Sequence, residues 1–372
     1  MKEDSAQDFI TEEYLLNMGP QHPATHGVLR LVLRMDGENI LDLVPDLGYL
    51  HRGFEKIAEN RTYKQFLPFT DRLDYLAGMF NNHVYCLAVE KLLKITVPPR
   101  AEYIRVLVSE LNRIASHLVW FGPFAMDLGA ITPFLYAFRE REMIIDLLES
   151  VSGQRLTYSY FRIGGVAQDL PDDFIVQAKA FCEYFKPKVD EYDTLLSKNI
   201  IFIKRTKNIG VLPKELAIDY GCSGPVLRGS GVAYDVRKNE PYSVYKDLSF
   251  DIPVGTIGDS LDRYNVRIEE MRQSVRIIEQ VLEKLPGGEI MAAVPKVVKP
   301  APGEAYARIE APRGDFGFFI VSDGSDKPYR LKIRAPSFSN LSVLPELVKG
   351  LKISDVLAVF GSIDIVLGDV DR

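Results

Sequence analysis

Two hydrophobic spacings alternate along the chain, and the changeovers outline its architecture. Residues 28–35 and 38–44 read as strands flanking Asp36-Gly37, a strong two-residue turn signal, which predicts a β-hairpin. From residue 70 the spacing becomes helical: Leu73, Leu76, Ala77, Phe80, Val84, Leu87 and Ala88 share one face. Thr70 or Asp71 stands where a cap would, and the helix is expected to reach about residue 94 before Pro98-Pro99 breaks the chain. Further helices are predicted over 101–121, over 133–152 with Gly153 as the stop, over 171–197 with a bend at Pro187, and over 256–285 ahead of Pro286-Gly287-Gly288. Strand spacing returns at 305–311, 316–322 and 329–333, with Asp323-Gly324 among the turns, and a short helix near 341–349 leads into an apolar tail. The expected class is α+β, mainly α-helical: one compact domain of 1–372. It comprises N-terminal strands and a histidine loop (13–48), a helical core (70–285), a strand-rich region (286–340) and a C-terminal helix and tail (341–372), with the small antiparallel sheets near the two ends.

Composition narrows the functions open to such a chain. Its 372 residues are 47% hydrophobic and 26% charged, enough for a large core. A net charge of −6 lacks the basic surplus of a nucleic-acid binder. No apolar run approaches the roughly 18 residues that a membrane span needs, and the polar start Met1-Lys2-Glu3-Asp4-Ser5 is no secretory signal, so membrane association is expected only through partners. Cys86, Cys182 and Cys222 are far apart and form no C-x-x-C, which fits a reducing compartment and argues against a local zinc or iron–sulfur site.

Four segments carry chemistry beyond these patterns. Gly19-Pro20-Gln21-His22-Pro23-Ala24-Thr25-His26-Gly27 places two of the five histidines in a glycine- and proline-shaped loop before the first strand of the hairpin. They can serve a ligand or simply cap a turn; a metal reading finds no third ligand nearby. Gly48 to Lys56 is a charged run around His51-Arg52-Gly53, which alone reads as surface. Asp71-Arg72-Leu73-Asp74-Tyr75 opens the long helix, where carboxylates suit the dipole and Tyr75 can aim its hydroxyl past the helix end. In Trp120-Phe121-Gly122-Pro123-Phe124-Ala125-Met126-Asp127, one carboxylate stands in an apolar setting, so Asp127 is a candidate functional acid, an orienter of a histidine, or an N-cap for the helix after Pro133.

Together with Leu47 to Glu55, Phe161-Arg162-Ile163-Gly164-Gly165-Val166 and the terminal stretch Ser362 to Arg372, these segments resemble the quinone-site (D) subunits of bacterial NADH–quinone oxidoreductase, respiratory complex I. That family is related to the nickel–iron hydrogenase large subunits, and the resemblance spans nearly the whole chain. It implies a hydrogenase-like helical bundle and a peripheral location on the cytoplasmic side of the inner membrane. The implied substrate is ubiquinone or menaquinone, and the implied partners are the complex I subunits B, C, I and H. The implied electron source is an iron–sulfur cluster on the first of these, with proton translocation following in the whole complex. The chain itself would carry no metal and would not act alone. By the same resemblance His26 and Tyr75 bind the quinone headgroup, Asp127 pairs with His26, and His22, Asp364 and Val366 line the cavity. Arg52 and Arg72 face the partner's cluster. Tyr75 and His26 are both able to donate a hydrogen bond to a quinone oxygen. A working nickel–iron hydrogenase would need C-x-x-C pairs where this chain has His51 to Phe54 and Asp364 to Leu367. A non-catalytic scaffold, or a related complex fed by ferredoxin or reduced deazaflavin, is the other alternative.

One departure from the pattern has a measurable outcome. Many members carry a histidine close to the terminal cluster where this chain has Thr157, in Gln154-Arg155-Leu156-Thr157-Tyr158. Threonine does not titrate near neutrality, so the partner cluster's potential is expected to be nearly independent of pH and lower than in histidine-bearing members, which suits menaquinone. Redox titration of the assembled complex at several pH values checks this. A slope of about 59 mV per pH unit would show that another group couples a proton to the electron.

Overall fold

A computed structural model describes residues 13–21 and 27–372. Strands β1 (Glu13–Met18), β2 (Arg30–Asp36) and β3 (Asn39–Asp46) form an antiparallel sheet in that order. The β2–β3 hairpin forms as expected but turns one residue later, on Gly37-Glu38, because Asp36 still pairs with Asn39; Gly37 stands at φ +57°, a conformation glycine adopts without penalty. Leu31, Leu33 and Met35 alternate inward on β2 and meet Ile40 and Leu43 of β3.

Two short helices follow, α1 (Phe54–Glu59) and α2 (Tyr63–Thr70), then α3 (Gly78–Leu93), α4 (Pro99–Asp127) and α5 (Ile131–Ser152). The helix expected to begin near residue 70 is therefore divided. Neither Thr70 nor Asp71 caps α3; Ala77 does so, without a side-chain bond. Residues 71–77 form an irregular turn because tertiary partners claim their polar groups. Asp71 accepts the Ser159 N–H at 3.3 Å, Asp74 accepts from Arg313 at 2.8 Å, and Asn81 donates to the Asp74 carbonyl at 2.8 Å. Helix α4 departs from expectation the other way, running through Gly122 and Pro123 to Asp127. A proline so near a C-terminus forfeits one backbone bond, and Trp120 anchors that turn by donating to the Gly361 carbonyl at 2.7 Å.

A two-stranded ladder, β4 (Phe161–Arg162) and β5 (Gly165–Val166), precedes α6 (Phe174–Tyr192), which contains Pro187 and ends in a π turn at Asp193–Ser197. Four short helices then occupy a stretch without clear periodicity: α7 (Ile200–Thr206), α8 (Lys214–Asp219), α9 (Gly224–Gly229) and α10 (Val236–Asn239). Helix α11 (Ser260–Lys284) starts later than its hydrophobic pattern suggests, because Asp259 caps it by accepting the Asp262 N–H at 2.8 Å. Strands β6 (Gly303–Ala311), β7 (Gly314–Ser322) and β8 (Arg330–Arg334) make the second three-stranded sheet. The short helix expected near 341–349 is α13 (Leu344–Val348), preceded by an unexpected α12 (Pro336–Leu341), and the apolar tail folds as α14 (Ile353–Ile363) and α15 (Leu367–Asp371). The fold is thus mainly helical, with small antiparallel sheets toward each end.

Helix α4 runs through the middle, packed between α5 and α11, and it buries charge as well as hydrocarbon. Glu110 accepts from Arg113 (3.1 Å), Tyr245 (2.6 Å), Ser274 (2.7 Å) and Arg237 (3.2 Å). Burial disfavours its charge, but Arg113 and Arg237 outweigh burial and hold the carboxyl at about 2. Arg228 bridges Glu270 at 2.6 Å and Glu310 at 2.7 Å, and His117 Nε2 meets Glu270 at 2.9 Å. These groups are excluded from water, so each charge depends on its partner. Replacing Arg228 with Met strands Glu270 and Glu310, and is expected to cost about 3–5 kcal/mol, measurable by chemical denaturation of the variant beside its parent.

Candidate functional site

Three stretches that are distant in sequence close around one cavity of about 460 Å³. The 71–77 turn supplies Tyr75 and Leu76, the last turns of α4 supply Val119, Trp120, Pro123, Met126 and Asp127, and the α14–α15 junction supplies Asp364, Ile365 and Val366. Arg313, from the tight β6–β7 turn, forms part of the floor. The volume lies within the range for a small-molecule site, roughly 300–1,000 Å³, and the walls are mostly apolar with polar groups at a few points.

Arg313 holds these stretches in register. Its guanidinium donates to Asp74 (2.8 Å), to Ser116 of α4 (2.9 Å) and to Asp364 (3.0 Å), with all of its side chain buried. Asp364 reaches Arg313 because its backbone is left-handed, φ +58°, which turns the chain sharply at the end of α14. Arg267 of α11 completes that corner. It donates to the carbonyls of Ser362 (2.7 Å) and Ile363 (2.8 Å), approaches Asp364 at 3.8 Å, and lies 4.5 Å from the Trp120 ring centre. A cation at a helix C-terminus satisfies carbonyls that have no partner within the helix.

Tyr75 is half-buried at the cavity edge. Burial, aided by the neighbouring Asp74, pushes its hydroxyl above the usual tyrosine range, while Arg313 and Arg52 oppose; it stays a proton donor at neutral pH. Asp127 ends α4 and lies partly buried on the wall that this helix supplies; Ala130, not Asp127, is the N-cap of α5, so the capping role falls away. His22 and His26 fall outside the described residues. Arg52 and Arg72 lie together outside the cavity: Arg52 donates to the Arg72 carbonyl at 3.3 Å, and Arg72 donates to the Pro68 carbonyl at 2.5 Å. Thr157 is half-buried in the segment that packs on Gly78 and bonds Asp71 through the Ser159 N–H. Among the described residues, no group of three His, Cys, Asp or Glu side chains is placed to hold a metal ion, and no helix is long and apolar enough to cross a membrane.

Residues 127–301 and 294–372 match the family described as respiratory-chain NADH dehydrogenase, 49 Kd subunit. Relatives named as the D subunit of NADH-quinone oxidoreductase are similar over nearly their whole length. That of Dehalococcoides mccartyi is 58% identical across 97% of this chain and 99% of its own. Those of Desulforamulus reducens and Geobacillus kaustophilus are 57% and 56% identical with the same coverage. The chain belongs to the 49 kDa subunit family.

Within this member of the 49 kDa family, the motifs foreshadowed Tyr75, Asp127, Asp364 and Val366 but not the groups that join them. Arg313, Ser116 and Arg267 escaped notice, and Asp74, read as a carboxylate suited to a helix dipole, instead pairs with Arg313. Arg313 sits in Pro312-Arg313-Gly314, which reads as an ordinary turn, and Arg267 lies in a charged helix where arginines face water by default. Asp369 was missed as well. It is fully buried on α15 and accepts the Ser337 N–H at 2.9 Å. Burial first, then Asp74, raises its carboxyl from 3.8 to about 7, against Ser337 and Arg313.

That shift has a definite sign. Between 3.8 and about 7 the native state keeps a proton on Asp369 that the unfolded chain has lost, so this group's contribution to stability falls as pH rises through the window. Asp369→Asn is neutral at every pH and keeps an oxygen for Ser337. Thermal unfolding across that window should show the parent losing stability relative to the variant; parallel curves would contradict the buried, protonated acid.

Proposed function

We propose that the cavity receives the headgroup of a quinone, and that the chain serves as the quinone-site subunit of a proton-pumping NADH–quinone oxidoreductase. The observation that carries this reading is the convergence of Tyr75, Asp127, Asp364 and Val366, drawn from three separate motifs, on one mostly apolar cavity. A quinone ring is flat and apolar with an acceptor oxygen at each end. Apolar walls suit its faces, and the Tyr75 hydroxyl suits one oxygen. The name carried by the relatives, which specifies an NADH-quinone oxidoreductase, supports the same substrate class.

In this reading His26 offers the second hydrogen bond and Asp127 orients it, with His22 nearby. Reduction of the quinone consumes two electrons and two protons. The electrons arrive from an iron–sulfur cluster on the complex's B subunit, which Arg52 and Arg72 face, and Tyr75 and His26 hold protons at the oxygens. Arg313 pairs with both Asp364 and Asp74 at the cavity floor, so the negative charge arriving with the electrons meets a guanidinium there and not two bare carboxylates. The C, I and H subunits complete the peripheral assembly against the membrane on its cytoplasmic side.

Tyr75→Phe tests the reading with the ring packing kept. Loss of one hydrogen bond to the quinone, about 0.5–1.5 kcal/mol, should lower turnover of short-chain quinones roughly two- to tenfold. Reduction of the clusters by NADH should persist. Unchanged quinone kinetics in a fully assembled Tyr75→Phe complex would remove the cavity from the reaction.

A further inference from the structure

The loop between β3 and α1 carries Arg52 near its end and closes one turn of its own, the His51 N–H donating to the Gly48 carbonyl at 3.1 Å. That turn is fixed to the rest of the fold from the far end of the chain. The two carboxylate oxygens of Asp371 accept the N–H groups of Gly48 (3.0 Å) and Leu50 (2.7 Å), and the Asp371 carbonyl meets His51 Nδ1 at 2.7 Å. The helix that carries Asp371 is itself seated on the 71–77 turn. Gly368 lies so close to that turn that a Cβ there would come within 2.4 Å of the Leu73 carbonyl oxygen. One helix of five residues therefore grips both the loop that carries Arg52 and the turn that carries Arg72 and Tyr75.

Arg52 depends on that grip. Its guanidinium is exposed, with one 3.3 Å bond to the Arg72 carbonyl and a position 5.2 Å from the Phe54 ring centre. Neither contact alone fixes a long side chain against solvent, so its direction is set by the backbone on which it stands. A carboxylate suits the task because both oxygens accept, and two converging N–H groups meet them without conflict.

We infer that Asp371 is a positioning residue: through the 48–51 loop it sets Arg52 against Arg72, and so aligns the face that meets the electron donor with the cavity that holds the acceptor. This rests on the quinone-site reading and adds to it a residue that touches neither redox partner.

The test uses the assembled complex with Asp371→Asn, Asp371→Glu and Arg52→Ala. An asparagine turns one acceptor into an NH2 group facing an N–H; a glutamate keeps both acceptors. Three quantities are read: amide hydrogen exchange at residues 48–51, the paramagnetic spectrum of the partner's terminal iron–sulfur cluster, and kcat and KM for a short-chain quinone. Asp371→Asn is expected to speed exchange across the loop and to perturb the spectrum in the manner of Arg52→Ala. It should lower kcat about tenfold, the scale of one charge-assisted hydrogen bond, with KM little changed. Asp371→Glu should restore much of each. If Arg52→Ala alters the spectrum while Asp371→Asn leaves exchange and spectrum at parental values, the inference is overturned. If Arg52→Ala itself leaves the spectrum unchanged, the placement of Arg52 toward the donor is wrong, and the role of Asp371 falls with it. Should Asp371→Asn fail to assemble, His51→Ala loosens the same loop from its own side, and a parental spectrum there would count equally against the proposal.

Discussion

A guanidinium without water must be surrounded by acceptors, and Arg313 finds them at three widely separated points of the chain. Asp74, Ser116 and Asp364 each give it an oxygen within 3.0 Å. Because an unpaired buried charge is so costly, the turn after α2, the middle of α4 and the end of α14 cannot drift apart independently. The cavity is the space left where these three meet at the guanidinium, and its shape follows from that pairing rather than from any one wall.

The same logic extends inward. Beyond Arg313, α11 places Arg267 against Asp364 and Glu270 against His117 and Arg228, which in turn reaches Glu310. An apolar core could have held these helices with less desolvation, so stability alone does not account for the arrangement. Directional pairs instead make one helix register better than its neighbours, because a one-turn slip would leave several charges unpaired at once. The packing around α4 is specified by geometry as well as by volume.

Much of the framework was legible in the sequence because it is locally encoded. Asp36-Gly37 between apolar runs could hardly be anything but a hairpin, and the long helices announced themselves by spacing. Errors arose where distant partners override local preference. Residues 71–77 keep helical periodicity, yet Asp71 and Asp74 are drawn to Ser159 and Arg313, and the helix breaks there. Pro123 looks like a terminator but sits in the last turns of α4, where little is lost. In the site, Tyr75 stood out in its own segment as well as through motif resemblance, whereas Asp364 and Val366 stood out through the resemblance alone, since nothing in their neighbours marks them as chemistry. Arg313 and Asp369 were silent for the opposite reason: their importance lies in what they pair with across the chain, and a single sequence does not display pairings.

The separation of the cavity walls also bears on how the chain reaches its native state. Tyr75 and Asp127 are made long before Asp364 and Val366, and no segment between them can enclose the cavity unaided. Closing so large a loop costs chain entropy before the Arg313 contacts can offset it, which favours slow, late and cooperative completion of this region. Until that closure, Trp120 and the apolar side chains around it lack their C-terminal cover, and the incomplete chain is most exposed to aggregation at the walls of this cavity.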